Sequence, residues 1–154
     1  MATNNVSADL VWELVRNNNS YLVRRKEFGG VRFSRDPLNL VNVHNRKHAG
    51  FVNTKAIGIH PAEKKGVKVL SKKESAVQKP AKSITEVVYH GGKPTRKIYK
   101  AVASRTAKSG YRPDLREAAV ARVSAIRRSQ REPKPTPEKK PRGAKAKKAA
   151  APES

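Results

Sequence analysis

The chain has 154 residues, with 35 lysines and arginines against 12 aspartates and glutamates, a formal net charge of +23. A charge of this size favours association with a polyanion, and no apolar run approaches the roughly 18 residues that span a membrane, so nucleic acid is the expected partner. Cysteine is absent, which excludes disulfides, thiolate metal sites and cysteine nucleophiles.

The amino terminus predicts a short helix. It has no basic region followed by an apolar core, which indicates a cytosolic or nuclear protein and not a secreted one. Ser7 is a suitable N-cap for a helix that runs to Arg16. The expected buried side of this helix consists of Leu10, Val11, Leu14 and Val15, with Trp12 at its edge.

Several short β-prone runs follow. Residues 21–34 predict a hairpin around Gly29-Gly30, and Asp36-Pro37 predicts a further turn. Residues 38–43 are interrupted by asparagines, which favours a loop or an irregular strand. Residues 49–61 and 66–73 predict two more strands. The amino-terminal half is therefore expected to be a helix on a small antiparallel sheet.

The middle of the chain is less clearly patterned. Residues 71–82 are polar and basic and predict a surface loop, whereas residues 84–89 fit either a strand or an extended segment. Residues 93–108 predict a helix with Ile98, Ala101 and Val102 facing inward, ended by Gly110.

The stretch from Tyr111 to Gln130 specifies a second basic helix. Pro113 suits a first helical position, since its missing N–H would be unpaired there. Leu115, Ala119, Val123 and Ile126 share one side at helical spacing. Arginines nevertheless project in several directions, and Arg122 lies near the middle of the apolar stripe. This distribution indicates polyanion on more than one side of the helix.

These patterns predict an α+β fold with an N-terminal helix, a small antiparallel sheet, two C-terminal basic helices and a tail. Residues 1–90 form the helix-plus-sheet domain and residues 91–130 the helical extension. Residues 131–154 are rich in lysine, proline and alanine and are expected to be disordered on their own.

Catalytic and metal-binding patterns are weak. His44 and His48 have the spacing of a helical metal pair, but their region is not convincingly helical and no third ligand is near. There is no phosphate-binding glycine loop and no pair of carboxylates for acid–base chemistry. We therefore expect no enzyme, no metal, no cofactor and no small-molecule substrate.

Basic clusters along the whole chain indicate a distributed nucleic-acid footprint. Tyr99 and Tyr111 fit two roles, stacking on unpaired bases or anchoring the C-terminal helices in the core. Asn17, Asn18 and Asn19 fit either RNA contacts or an ordinary turn. The candidate RNA-binding residues include Arg96, Arg105 and Tyr111.

Three stretches, VWELVRNNNSYLVRR, HNRKHAG and GYRPDLREAAVARVSAIRRSQ, resemble the eukaryotic large-ribosomal-subunit proteins of the e-type twenty-eight family. The resemblance implies a non-catalytic constituent of the cytosolic large subunit that contacts ribosomal RNA and neighbouring ribosomal proteins, reaches the ribosome through the nucleus and nucleolus, and supports translation. The RNA contacts that it implies by position are Arg24, Arg25, Arg46, Lys47, Arg112, Arg116, Arg122, Arg127 and Arg128.

A linker-histone-like chromatin protein that binds DNA is the alternative, because the tail PKPTPEKKPRGAKAKKAAAPES resembles that of a histone. The strand-rich and arginine-rich remainder argues against it. A preference for duplex DNA or for structured RNA distinguishes the two functions.

Overall fold

The computed structural model describes residues 6–76, 79–108, 110–136 and 142–144. The predicted α+β class is confirmed, and the strands form two antiparallel sheets, β1–β2 and β3–β4–β5. The elements in chain order are α1 (Ala8–Val15), β1 (Leu22–Arg24), α2 (Glu27–Gly30), β2 (Arg32–Ser34), β3 (Ile57–Pro61), β4 (Gly66–Lys72), β5 (Ile84–His90), α3 (Thr95–Ala103) and α4 (Arg116–Ser129).

The three-stranded sheet has β4 at its centre. Ile57 pairs with Ser71 across β3 and β4, and Gly66 pairs with His90 across β4 and β5. Residues 84–89, for which the sequence fitted either a strand or an extended segment, therefore belong to a strand. The surface loop predicted from residue 71 begins two residues later, at Lys73, because β4 extends to Lys72, and it contains two 3₁₀ turns, Glu74–Ala76 and Pro80–Lys82.

The hydrophobic core lies between this sheet and the two C-terminal helices. The predicted stripe of α4 is confirmed, because Leu115, Ala119, Val123 and Ile126 are all buried. Burying a side chain as large as valine or leucine contributes about 1.5–3 kcal/mol, so burial of the stripe favours the packing of α4 against the sheet. The core residues are Leu40, Ile57, Ile59, Val67, Val69, Ile98, Val102, Leu115, Ala119, Val123 and Ile126.

The core draws residues from both sides of residue 90. The division into 1–90 and 91–130 stays a prediction about chain organisation. Most of the 131–154 tail lies outside the described residues. Its described residues, 131–136 and 142–144, are exposed, and residues 131–136 belong to no helix or strand.

Helix α1 has the predicted N-cap, with the Ser7 hydroxyl accepting from the Leu10 N–H at 3.2 Å. Its predicted buried side is wrong for Leu10 and Leu14, which are 55% and 73% exposed, whereas Val11 and Val15 are half-buried. Trp12 lies against the ring of His44, with ring centroids 5.0 Å apart, and so directs its own side of the helix toward the protein. Residues two positions away on a helix point about 160° from it, which leaves both leucines facing outward.

Part of the loop between β2 and β3 is buried although it is rich in polar residues, since Asp36 and Asn39 are 4% and 3% exposed. The Asp36 carboxylate accepts from the N–H groups of Leu38 at 2.9 Å and Phe51 at 3.0 Å. The Asn39 side chain accepts from the N–H of Asn42 at 2.8 Å and donates to the Val43 carbonyl. These bonds satisfy the backbone without a sheet, which is why the segment can be both irregular and internal.

The predicted hairpin is confirmed, with Leu22 opposite Ser34. Its connection contains the short helical turn α2, in which Gly29 and Gly30 have φ of +76° and +77°, values that glycine adopts readily. Among the described residues, no helix combines the length and the apolar character needed to cross a bilayer.

Candidate nucleic-acid interface

The C-terminal helices carry an excess of positive charge on their solvent sides. α4 has four arginines and one glutamate, and α3 has three basic residues and no acidic one. Arg96, Arg116 and Arg128 are exposed. Helix α1 differs, since it contains Asp9 and Glu13 and no basic residue. The helical part of the positive surface therefore belongs to α3 and α4.

A groove of about 630 Å³ lies between α3 and α4. The predicted helix 93–108 departs from α-helical geometry at Ser104, where a π-helical turn runs to Lys108. This turn supplies part of the groove wall, while buried Thr106 donates to the Val102 carbonyl at 2.5 Å. The groove is lined by Tyr99, Lys100, Ala103, Ser104, Ala107, Lys108, Arg116 and Val120. It thus combines three cationic side chains with an apolar wall.

Two arginines of α4 are half-buried. Arg127 donates from Nη2 to the Gly91 carbonyl at 2.9 Å and from Nη1 to the Gln130 side-chain oxygen at 3.4 Å. The Nε atoms of Arg122 and Arg127 are both buried without a hydrogen-bond partner among the described residues. Their guanidinium groups therefore keep unused donor capacity beside the core.

Arg112 is bound within the protein, with its side chain only 17% exposed. It donates to the carbonyls of Lys55 at 2.8 Å and Lys47 at 3.1 Å, and it forms a bidentate pair with Asp114 at 2.7 and 2.8 Å. The hydrogen bond from Arg112 holds the pKa of the Asp114 carboxyl below its usual range. This arginine joins the start of the α4 region to the loop before β3.

Tyr111 anchors the same region. Its hydroxyl accepts from the Ala56 N–H at 3.1 Å and donates its single hydrogen to the Lys72 carbonyl at 2.5 Å, and the Ala56 carbonyl oxygen lies 3.2 Å away. Burial raises the pKa of the hydroxyl, so it is neutral in the folded protein at ordinary pH. Of the two roles considered for Tyr111, the structure shows anchoring, and base stacking stays a prediction.

The amino-terminal candidates are partly engaged. Arg46 donates to Asp9 at 2.7 and 3.0 Å and also to the side chain of Asn53. The guanidinium of Arg24 donates to the Asn17 carbonyl. Arg25 and Lys47 are exposed. The asparagine turn is structural at Asn19, whose side chain accepts from the Tyr21 N–H at 3.1 Å.

The side chains of His44 and His60 bond to separate backbone carbonyls and do not face a common site. His44 Nε2 lies 2.7 Å from the Arg16 carbonyl, and His60 Nε2 lies 2.7 Å from the Pro37 carbonyl. Burial, followed by the nearby charges of Lys47 and Arg112, lowers the pKa of His48. Within the described parts of the chain there is no group of three histidine, aspartate or glutamate side chains that fits a metal ion.

The structure divides the twelve candidate residues by exposure, and their contact with RNA stays a prediction. Lys100 and Lys108 were not among the twelve although they line the groove with Arg116. The available sequence signal was the repeated occurrence of basic residues, without any acidic residue, through residues 93–108. The exposed candidates are Arg24, Arg25, Lys47, Arg96, Arg116 and Arg128, and the half-buried ones are Arg46, Arg105, Tyr111, Arg112, Arg122 and Arg127.

Comparison with known proteins identifies the family. The model of the ribosomal L28e protein family matches residues 10–129, which contain the hairpin, both sheets and both C-terminal helices. The chain belongs to the ribosomal L28e protein family. The match spans the whole core, so the L28e family assignment applies to the folded unit and not to an isolated motif.

Relatives in distant eukaryotes align with most of the length of this L28e chain. The chain is 42% identical over 132 residues to the large ribosomal subunit protein eL28 of Schizosaccharomyces pombe, covering 85% of this chain and 97% of that protein. It is 37% identical over 111 residues to eL28 of Trypanosoma cruzi, covering 71% and 68% of the two chains. It is 30% identical over 131 residues to eL28 of Dictyostelium discoideum, covering 84% and 92%.

Proposed function

We propose that this chain is a non-catalytic structural constituent of the cytosolic large ribosomal subunit and that it binds and bridges ribosomal RNA through exposed arginines and lysines. Membership of the L28e family and the names of its relatives support the ribosomal role. The net charge of +23 supports a polyanionic partner. Passage through the nucleus and nucleolus during assembly, contacts with neighbouring ribosomal proteins and a supporting role in translation belong to the same proposal.

The observation that carries the proposal is the two-sided use of α4. One side buries Leu115, Ala119 and Val123 against the sheet, while Arg116 and Arg128 remain exposed. The core therefore fixes the helix surface from which these cations project. Arginine forms bidentate contacts with phosphate, and an already ordered helix reduces the entropy lost on binding.

Bridging follows from a second cationic surface on another element. The hairpin presents Arg24 and Arg25, and α4 presents Arg116 and Arg128. Two RNA segments that each contact one of these surfaces would have their mutual repulsion lowered by the intervening positive charge. Because Arg112 ties the start of the α4 region to the loop ahead of β3, relative movement of these parts is restricted.

The groove between α3 and α4 suits an unpaired nucleotide. Tyr99 and the small apolar side chains of Ala103 and Ala107 offer a surface for a base, and Lys100 and Lys108 offer charge for its phosphate. Stacking on an aromatic ring contributes about 1–3 kcal/mol for each base. If about ten phosphates are neutralised, the slope of log K against log salt is about −7 to −9.

Sedimentation tests the ribosomal role. A tagged copy is expressed in a eukaryotic cell and the lysate is run on sucrose gradients with magnesium and with EDTA. We expect the protein in polysomes and large subunits with magnesium, and in the free large subunit with EDTA. Recovery in nuclease-released chromatin, with none in polysomes, would instead support the histone-like function.

A charge-reversal pair tests the role of α4. Arg122→Glu is a poor probe because Arg122 Nε is buried, so the substitution also perturbs the fold. Arg116 is exposed, and Arg116→Glu should reduce incorporation into large subunits while leaving thermal unfolding unchanged. Lys145→Glu, in the tail, makes the same change in charge and serves as the control. Equal incorporation of both variants would contradict RNA contact by α4.

A further inference from the structure

A second cationic site lies at the opposite end of α4 from Arg116. A pocket of about 360 Å³ forms where the β3–β4 turn, the β5–α3 turn and the end of α4 meet. It is lined by Lys64, Lys65, Gly91, Gly92, Arg127, Gln130 and Arg131. Four of these seven residues are cationic and none is acidic. None of the four except Arg127 is among the candidate RNA-binding residues.

Close backbone contacts and hydrogen bonds hold the elements that form the pocket in fixed positions. Lys65 has φ of +47°, in the left-handed region that residues with a side chain rarely adopt. Gly91 lies so close to the Lys65 carbonyl that a Cβ there would overlap its oxygen. Arg127 holds the Gly91 carbonyl, and Gln130 donates to the Gly66 carbonyl at 2.7 Å. The two turns and the helix end are therefore fixed relative to one another.

The pocket lies at the C-terminal end of α4, where the negative end of the helix dipole disfavours a bound anion. The last carbonyls of α4 are already engaged, since Ile126 accepts from the Gln130 N–H at 3.1 Å and Arg128 accepts from the Arg131 N–H at 3.2 Å. Four cationic side chains then exceed the partial charge of one helix end. In addition, Arg127 Nε has no hydrogen-bond partner among the described residues.

One carboxylate already contacts this site. Glu132 lies just beyond the pocket, and its carboxylate is 3.2 Å from the Lys65 ammonium, with both side chains exposed. An exposed ion pair of this kind contributes little to stability, so another anion can displace it. Glu132 marks the position at which a negatively charged group meets Lys65.

We propose that this pocket binds a backbone phosphate of RNA and that Glu132 occupies the Lys65 contact until RNA displaces it. The inference rests on the proposed function and adds a site to it. Phosphate is favoured over a base because no aromatic side chain lines the pocket, unlike the groove that contains Tyr99. Arginine and lysine together supply bidentate and point-charge contacts to phosphate oxygens.

The test measures the affinity of the full chain for a fluorescent RNA stem-loop at increasing KCl. Lys64→Gln and Arg131→Gln should each reduce the steepness of the log–log salt dependence by about 0.7–0.9, the loss of one phosphate contact. The matched control is Lys73→Gln, an exposed lysine just beyond the other end of β4. It should leave the slope unchanged, and thermal unfolding should be the same for all three variants.

A second pair of variants tests the displacement of Glu132. Glu132→Gln should tighten RNA binding more than Glu63→Gln, because both remove one negative charge near the pocket but only Glu132 contacts Lys65. Equal tightening by the two would overturn the role of Glu132.

The outcomes separate this proposal from the proposed function. If the wild-type chain binds RNA but Lys64→Gln and Arg131→Gln behave like Lys73→Gln, the pocket proposal is overturned and the ribosomal role stands. If the wild-type chain fails to bind the stem-loop, the RNA-binding function itself is overturned. If polyglutamate binding depends on Lys64 and RNA binding does not, the pocket is a site for an acidic peptide.

Discussion

Removing one hydroxyl group should measurably weaken the junction between the sheet and the C-terminal helices. Tyr111→Phe keeps the ring in the core but deletes the group that bonds to Ala56 and Lys72. A typical net hydrogen bond contributes about 1 kcal/mol, and a buried group left without a partner costs about 1–3 kcal/mol. Two of the bonds at this hydroxyl are 3.1 Å or shorter, so we expect a loss of about 2–3 kcal/mol.

The assay is thermal unfolding followed by circular dichroism. At this chain length a loss of about 2–3 kcal/mol corresponds to a fall in Tm of roughly 5–10 °C. Tyr99→Phe is the control, because Tyr99 is also half-buried beside the core but its hydroxyl has no hydrogen-bond partner among the described residues. A Tyr111→Phe protein as stable as the Tyr99→Phe protein would refute the anchoring role.

Three further predictions concern the fold. Gly58→Ala should destabilise the protein by about 1–3 kcal/mol in urea unfolding, because a Cβ there would overlap the Pro37 carbonyl. Gly92→Ala, which meets nothing within 4 Å, is its control, and equal losses would contradict the close approach. His48 has a lowered pKa in the folded state, so its contribution to stability is present above pH about 6.5 and declines as the pH falls below it. His48→Gln should make the free energy of unfolding less dependent on pH in this range. An unchanged decline of stability with falling pH would exclude His48 as its source. Truncation after Gln130 should leave cooperative unfolding intact because no core residue is lost, and a loss of cooperativity would contradict this.

The sequence was most informative where a local pattern of residues was compatible with only one structure. The spacing of Leu115, Ala119, Val123 and Ile126 identified the buried side of α4, and Ser7 identified the start of α1. Both signals are local, since a helical stripe and an N-cap depend on residues within a few turns. The family resemblance was equally readable because its residues are contiguous.

Tertiary contacts limited the other predictions. The apolar pattern of α1 could not show that Trp12 would meet His44 and turn Leu10 and Leu14 to solvent. The charge of Arg112 suggested RNA, but its partners lie 57 and 65 residues away at Lys55 and Lys47. The presence of an arginine in a sequence is equally compatible with an exposed side chain and with one that is bonded within the protein. Only the fold distinguishes these two environments.

The core combines strands from the middle of the chain with helices from its C-terminal part, and this order affects folding during translation. The inward face of β3 and β4 is covered by α4, and Tyr111 reaches back 55 residues to Ala56. The strands emerge from a translating ribosome well before the helix that covers them, so their apolar side chains stay exposed until almost the whole chain has been made. Contacts so distant in sequence form late and leave the nascent chain open to aggregation. Such a chain should depend on a chaperone during its own translation, for as long as α4 has not yet emerged.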